Sequence, residues 1–244
     1  MQLSEIRLGI VCPMANEQHC AVAFVSEVLE ECGHGGFKSV TFYAIVDMKS
    51  TDATRHVLED LAKRQFRLRV VWAPENKCMV DAYVVGYRAA LTSGSDWILE
   101  IDAGFSHQPS DISQFFENMR QGYECVFGSR FCRGGSMKES PFRRYVISRG
   151  GTIISNVLLG TSLKDMTSGF ELFSHPALQY VLDKGIRSRG PFFQTEIKAY
   201  CRNLKIVEVP IQYRNASHRV GSAALKDAFT NLAWLFQLRL RGEL

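Results

Sequence analysis

The chain has 244 residues, of which 46% are hydrophobic and 22% are charged. This composition is typical of one globular unit with a substantial buried core and excludes a disordered or fibrous protein. The net charge of +4 indicates anionic partners only weakly, no apolar run approaches the roughly 20 residues that cross a bilayer, and residues 1–5 do not resemble a signal peptide.

Strands and helices alternate through the first half of the chain. Apolar runs predict strands at residues 8–13, 40–46, 68–72, 97–101 and 125–128. Helical spacing of apolar residues predicts helices between them. They begin near Asn16 and Glu17, at Thr51 or Asp52, before Ala82, and after a cap at Ser110-Asp111. This alternation predicts an α/β fold, in which helices cover both faces of a mostly parallel sheet.

The alternation breaks after Ser129. Residues 131–141 are rich in Gly and Arg and predict a loop that could act as a lid. Helices are predicted at 142–159, 176–182 and 192–201, and strands at 167–173 and 206–213. A polar segment, 214–222, precedes an amphipathic terminal helix. No linker divides the chain, so we expect one domain over residues 1–222 followed by the helix 223–244.

The seven cysteines are odd in number and contain no C-x-x-C pair. Two of them, Cys12 and Cys125, lie inside apolar runs. This usage predicts reduced thiols in a cytoplasmic protein rather than a disulfide framework or a zinc site.

Acidic residues follow three of the predicted strands. Asp102 ends the run at 97–101, Asp47 ends the run at 40–46, and Glu17 lies just past residue 13. Because parallel strands bring their carboxyl ends to one edge of a sheet, we expect these acids to converge where ligands bind in open α/β sheets. A carboxylate there can hold a metal ion and, through it, a diphosphate. The alternative for Asp102 is a simple turn cap.

Six motifs in order resemble inverting family 2 glycosyltransferases with the GT-A fold, in the branch of the dolichyl-phosphate mannose synthases. Residues 10–17, IVCPMANE, resemble V-x-P-x-x-N-E, and residues 46–54, VDMKSTDAT, resemble V-D-D-G-S-x-D-G-T. Residues 102–109, DAGFSHQP, resemble D-A-D-x-x-H-x-P. Residues 128–135, 165–170 and 208–211 are similar to G-S-R-Y…G-G, D-x-T-S-G-F and E-V-P-I. The matches extend from residue 8 to about 225.

The resemblance implies inverting transfer of a sugar from a GDP- or UDP-sugar to a polyprenyl phosphate. By the family pattern, Asp102 would hold Mg²⁺ or Mn²⁺ and the diphosphate. The residues implied to bind the nucleotide-sugar are Pro13, Asn16, Glu17, Asp47 and Asp102, with Arg214 and Arg219 as competing candidates in a basic loop that closes on the phosphates.

A phosphate acceptor is already an anionic nucleophile, so it needs cationic partners more than a general base. The residues available for the acceptor phosphate are Arg130, Arg143, Arg144 and Arg149; the alternative is a solvated basic face. The catalytic candidates are Asp102, Asp165, Glu196 and Arg130. Asp165 could orient the acceptor or form only a turn hydrogen bond. Glu196 could serve as a base for a hydroxyl acceptor or be a buried structural acid.

The chain departs from the family pattern at two acids, because Gly104 and Met48 occupy their positions. Two alternatives therefore accompany the leading hypothesis: transfer to a hydroxyl in glycan biosynthesis, and a nucleotide-sugar-binding protein without catalysis. The terminal helix carries Phe229, Leu232 and Trp234 with nearby Arg and Lys residues. It could lie on a membrane surface, pack on the core or form a homodimer. We expect a cytoplasmic protein, peripheral on the inner face of the membrane, without a nucleic-acid partner.

Overall fold

The computed structural model describes residues 2–137, 141–214 and 221–244. In these residues the strands are β1 (Arg7–Pro13), β2 (Ser39–Val46), β3 (Leu68–Trp72), β4 (Trp97–Glu100), β5 (Cys125–Ser129), β6 (Glu171–Ser174) and β7 (Ile206–Pro210). The helices are α1 (Ala21–Gly33), α2 (Thr54–Ala62), α3 (Met79–Thr92), α4 (Ile112–Arg120), α5 (Phe142–Leu159), α6 (His175–Lys184), α7 (Phe193–Tyr200) and α8 (Ser222–Arg241).

The strands form one sheet in the order β3-β2-β1-β4-β6-β5-β7. Within the described residues only β6 runs against its neighbours, because it pairs antiparallel with both β4 and β5. The pairs β1·β2, β1·β4, β2·β3 and β5·β7 are parallel. The predicted α/β architecture with a mostly parallel sheet is confirmed.

Each face of the sheet carries its own hydrophobic core. One core joins β1, β2 and β4 to α1, α2 and α4, with Phe24 and Phe115 fully buried in it. The other core joins the opposite face to α3, α6, α7 and α8, with Tyr83 and Phe173 fully buried. Because both faces are covered, functional groups are displayed at the strand ends.

Helix α1 begins at Ala21, later than the predicted start at Asn16 and Glu17. Asn16 has a φ of 61°, which places it in the left-handed region and outside any helix. Its side chain bonds instead to the neighbouring loop, donating to the Lys49 carbonyl and accepting from the Thr51 N–H. The loop that precedes α1 is therefore built by side-chain hydrogen bonds rather than by helix.

Two further strands and one helix lie where they were predicted, but two strand bounds and one capping bond differ. Strand β6 begins at Glu171, because the residues before it form a turn held by Asp165. Strand β7 ends at Pro210, a residue that has no N–H to donate to a ladder. Asp111 makes no capping bond to α4, and its carboxylate accepts from the Gln212 N–H at 2.7 Å instead.

Helix α8 packs on the body of the protein and also exposes apolar residues. Leu232 and Leu235 are buried in the second core, whereas Phe229 is 65% exposed and Leu240 is 71% exposed. No helix among the described residues is both long enough and apolar enough to span a membrane. All seven cysteines are free thiols, as predicted from their number and spacing.

Candidate active site

The carboxyl ends of three adjacent parallel strands bear the predicted acids. Strand β1 lies between β2 and β4, so Glu17 after β1 lies between Asp47 after β2 and Asp102 after β4. Pro13 is the last residue of β1 and pairs with Ile45 of β2. The parallel register explains why acids distant in sequence come to one edge.

The loops after β1 and β2 are tied together. The Glu17 N–H donates to Thr54 Oγ1 at 2.7 Å, and the Gln18 N–H donates to Asp52 Oδ2 at 3.1 Å. The Asp52 carboxylate also accepts from the Thr54 hydroxyl at 2.6 Å. These bonds make the β1 and β2 loops one unit and fix the position of Glu17.

Asp47, the first residue after β2, is largely buried. Its Oδ1 accepts from the Lys49 N–H at 2.8 Å, and its Oδ2 lies 3.5 Å from Asn76 Nδ2. The carboxylate is thus oriented by the turn that follows β2. A fixed acceptor of this kind can bind the N–H or O–H groups of a nucleoside.

Asp102 presents a partly exposed carboxylate above the sheet, its side chain being 38% exposed. The buried Tyr83 hydroxyl donates to Oδ1. Burial, together with the charge of Asp102, raises the pKa of Tyr83, so this hydroxyl stays protonated and donates. The carboxylate is therefore oriented from below by α3, a partner that the sequence analysis missed.

His107 stabilises the turn after Asp102. Its Nδ1 accepts from the Asp102 N–H at 3.4 Å, and its ring stacks on Phe170 with centroids 5.0 Å apart. Burial lowers its pKa to about 4, so the imidazole is neutral at pH 7. A buried, neutral, stacked imidazole supports the turn rather than binding phosphate.

The turn itself contains two consecutive residues in the left-handed region, Gly104 with φ 72° and Phe105 with φ 57°. The Phe105 ring contacts Phe24 edge-on at 5.1 Å, which holds this unusual backbone in place. A Cβ at Gly104 would lie 3.1 Å from both carboxylate oxygens of Glu17. The β4 loop and the β1 loop therefore touch at the site.

Arg130 and Asp165 form a buried bidentate ion pair. Nε lies 2.7 Å from Oδ2 and Nη2 lies 2.8 Å from Oδ1, and the Arg130 N–H also donates to Oδ2. Although burial acts to raise it, Arg130 holds the pKa of Asp165 well below its ordinary value. Glu208 accepts from the Asp165 N–H at 2.8 Å. The Arg130 guanidinium therefore binds the Asp165 carboxylate and stabilises the turn that contains it.

A second group of buried charges lies behind this pair. Lys198, Glu171 and Glu100 are fully buried, and Lys198 Nζ lies 2.7 Å from Glu171 Oε1. Glu100 accepts from the Tyr87 hydroxyl and from Gln194 Nε2. This group was not predicted, although a charged residue inside an apolar run, such as Glu100 between Leu99 and Ile101, is a sign of it in the sequence.

Glu196 is fully buried in α7. Its two oxygens accept from the Arg187 and Ser188 N–H groups, each at 2.9 Å. Burial raises its pKa. Both oxygens are used by the backbone, which favours the structural alternative over a general base.

The other predicted arginines differ in what they contact. Arg143 is exposed, and Arg149 donates to the Lys164 carbonyl at 3.1 Å. Arg144 lies near Tyr213, and its Nε is buried without a hydrogen-bond partner among the described residues. The Arg214 N–H donates to the Ser106 carbonyl at 2.9 Å, which ties the segment after β7 to the Asp102 loop. Arg219 lies outside the described residues.

A cavity of about 440 Å³ opens between α5 and α8. Its wall is mostly apolar and includes Ile154, Phe192, Ala228 and Phe229, while Arg144 and Thr167 contribute polar groups. Thr167 also accepts from Arg130. The groove therefore reaches the ion pair of Arg130 and Asp165.

Residues 10–182 match the protein family described as Glycosyl transferase family 2. The chain belongs to this family. It is a glycosyltransferase, and its α/β sheet has the GT-A arrangement predicted from the motifs.

Two relatives support the membership in sequence. A polyprenol monophosphomannose synthase of Mycolicibacterium smegmatis is 27% identical over 244 residues, which cover 98% of this chain and 89% of the relative. An undecaprenyl-phosphate mannosyltransferase of Micrococcus luteus is 32% identical over 171 residues, which cover 69% of this chain and 70% of the relative.

Solved structures of glucosyl-3-phosphoglycerate synthase from Mycobacterium tuberculosis share the fold. The complex of that enzyme with UDP superposes with a TM-score of 0.68 at 15% identity, covering 95% of this chain and 80% of the other. Its complex with Mn²⁺, UDP-glucose and phosphoglyceric acid gives a TM-score of 0.65 at 17% identity, covering 96% and 79%.

The residues at the carboxyl edge fit a divalent cation that takes some of its ligands from the protein and the others from the substrate phosphates. Among the residues that the structure describes, no group of three or more His, Cys, Asp or Glu side chains could hold a metal ion. Asp102 offers a partly exposed carboxylate, a hard oxygen ligand of the kind Mg²⁺ and Mn²⁺ take. Mg²⁺ commonly relies on one or two carboxylates plus substrate phosphates, and this donor set matches that case.

Proposed function

We propose that this glycosyltransferase transfers a sugar, with inversion, from a GDP- or UDP-sugar to a polyprenyl phosphate. Mannose is the sugar favoured by the names of the two sequence relatives. The observation that carries the proposal is the apolar groove between α5 and α8, whose lining includes Arg144 and Thr167. An apolar groove with a cation in its wall matches an acceptor that has a prenyl chain and a phosphate head.

The donor would bind over the acidic edge. Asp47 and Asn16 belong to the β1 and β2 loops, where they would contact the nucleoside, and Asp102 would face the diphosphate. A bound Mg²⁺ or Mn²⁺ would neutralise the leaving diphosphate. Tyr83 holds the Asp102 carboxylate in place, so this charge is preorganised before the donor arrives.

The acceptor phosphate would enter from the groove. Arg144 supports this role, because its buried Nε has no hydrogen-bond partner in the described structure and an unsatisfied donor favours an anion. Arg130 would act differently. Its guanidinium is neutralised by Asp165, so it would position the turn and Thr167 rather than bind the phosphate alone.

The two acids considered as general bases, Glu196 and Asp165, are both occupied, which favours a phosphate nucleophile over a hydroxyl. Both Glu196 oxygens accept backbone N–H groups, and Asp165 is paired with Arg130. A hydroxyl acceptor would need a base within hydrogen-bond reach. A phosphate monoester is already anionic at neutral pH and needs none.

Peripheral attachment to a membrane would bring the groove to its lipid substrate. Several apolar side chains of α5 and α8 are exposed: Phe142, Val146, Ile153, Val157, Phe229 and Leu240. Arg143 and Lys226 are exposed on the same two helices. Exposed apolar residues flanked by basic ones are typical of helices that lie at a lipid surface.

The test is a transfer assay with radiolabelled GDP-mannose and UDP-sugars, polyprenyl phosphate in detergent, and Mg²⁺ or Mn²⁺. Organic-extractable product with polyprenyl phosphate, and none with the matched polyprenol, is expected. Product only on a soluble glycan would overturn the lipid-phosphate acceptor. Tight nucleotide binding without transfer from any donor would favour the binding protein without catalysis.

A further inference from the structure

Gly104 stands where the D-A-D pattern has its second Asp. Gly104 has a φ of 72°, and a Cβ there would lie 3.1 Å from each Glu17 carboxylate oxygen. The space into which a side chain at position 104 would extend is therefore filled by a carboxylate from another loop. A carboxylate from the loop after β1 therefore lies beside position 104, where this chain has no acid of its own.

We propose that Glu17 supplies the second carboxylate of the diphosphate site, so that Asp102 and Glu17 together face the divalent cation and the donor diphosphate. This inference rests on the proposed function and names a role for one residue within it. It is narrower than the general nucleotide-sugar contact that the family pattern implies for Glu17.

The Glu17 side chain is held for such a role. Its backbone N–H donates to Thr54 Oγ1 at 2.7 Å, and Asn16 before it is fixed by bonds to the β2 loop. The Cys20 thiol donates to Oε2 at 2.9 Å. This bond fixes the orientation of the Glu17 carboxylate.

Asp102 and Glu17 also flank the same buried residue. Both carboxylates, after burial itself, raise the pKa of Cys12 in β1, which lies between the two loops. A divalent cation bound by both carboxylates would gain a second protein oxygen ligand beside the diphosphate oxygens. The pair therefore favours a divalent ion in a way that Asp102 alone would not.

The experiment measures the binding of GDP and UDP to the full chain by calorimetry, once with Mn²⁺ and once in EDTA. The ratio of the two dissociation constants is the metal enhancement. Glu17→Gln should reduce the enhancement by about tenfold or more, in line with losses at metal sites, while the affinity in EDTA changes little. The control Glu27→Gln alters an exposed residue of α1 and should behave as wild type.

A double variant tests whether a carboxylate at position 104 can replace the carboxylate of Glu17. Removing the Glu17 side chain opens the space at position 104, and Asp is among the residues that tolerate the left-handed region. Glu17→Ala combined with Gly104→Asp should regain most of the enhancement that Glu17→Ala loses. If the metal enhancement of the double variant is no larger than that of Glu17→Ala, the proposed role of Glu17 is overturned.

Other outcomes separate the inference from the proposed function. Equal weakening by Glu17→Gln in Mn²⁺ and in EDTA would assign Glu17 to the nucleoside and overturn the inference alone. Unchanged binding would do the same. A wild-type chain that binds neither nucleotide would overturn the proposed function and the inference with it.

Discussion

Glu100 of β4 and Glu171 of β6 lie directly opposite each other in the antiparallel strand pair, and both are fully buried. Lys198 is close to Glu171, whereas Glu100 is held by Tyr87 and Gln194. Burial raises the pKa of both acids, that of Glu171 to about 7. The ammonium group of Lys198 is thus paired with a carboxyl group that binds a proton near neutral pH, while the pKa of Glu100 beside it is raised mainly by burial.

Glu171→Gln should change how stability depends on pH. Between its ordinary pKa and about 7, the folded state holds a proton that the unfolded state releases, so the free energy of unfolding falls as pH rises, by about 1.4 kcal/mol per unit. The variant should show a shallower fall between pH 5 and 7 in urea titrations. The control is Glu27→Gln, and an unchanged slope in Glu171→Gln would contradict the assignment.

Asp102→Asn should abolish most transfer while preserving the fold. The amide oxygen can still accept from Tyr83, but the negative charge facing the diphosphate is lost. We expect a rate loss on the order of a hundredfold or more, measured as kcat with the melting temperature as a check. Asp183→Asn, on the exposed side of α6, is the control. Full activity in Asp102→Asn would support the simple turn cap.

Arg144→Gln should weaken binding of the lipid acceptor and leave binding of the nucleotide-sugar donor unchanged. A charge-assisted hydrogen bond contributes about 1.5 to 3 kcal/mol, so the KM for polyprenyl phosphate should rise roughly tenfold to a hundredfold. Nucleotide affinity should stay close to that of wild type. Arg120→Gln, on exposed α4 surface, serves as the matched change. A loss of affinity for the nucleotide instead would assign Arg144 to the donor site and contradict its role at the acceptor phosphate.

Ala228→Trp should fill the groove between α5 and α8. Ala228 lines the cavity, and an indole there would exclude a prenyl chain. The KM for long polyprenyl phosphate should rise about tenfold, with a smaller effect on a short prenyl phosphate. Ala223→Trp, exposed on the same helix, is the control. Equal effects on long and short acceptors would place the chain elsewhere.

Phe229→Ser with Leu240→Ser should reduce sedimentation with anionic liposomes at low salt, because both side chains are largely exposed on α8. Deleting the helix would be a poor test, since Leu232 and Leu235 belong to the core. Each basic residue near the surface adds about 1 kcal/mol, so high salt should release wild type in part. Phe66→Ser, on the turn before β3, is the control, because Phe66 is 83% exposed. Equal loss in both variants would contradict a specific membrane face.

The spacing of apolar residues and the acids that follow apolar runs were enough to predict the sheet and part of the candidate site. The alternation of apolar runs identified the sheet, and Asp47 and Asp102 were correctly predicted to follow strands, because side-chain period and burial are local properties of a sequence. The six ordered motifs identified the family. The seven free cysteines also follow from number and spacing alone.

Only the tertiary structure decided which charges meet. Arg130 pairs with Asp165 across 35 residues, and Glu17 reaches Gly104 from a different strand, because sheet order brings together loops that sequence spacing does not relate. The same holds for Glu196, whose oxygens are taken by backbone N–H groups. By itself the sequence determined which residues carry charge, whereas burial and partners in three dimensions determined which of those charges are committed to the fold and which face a substrate.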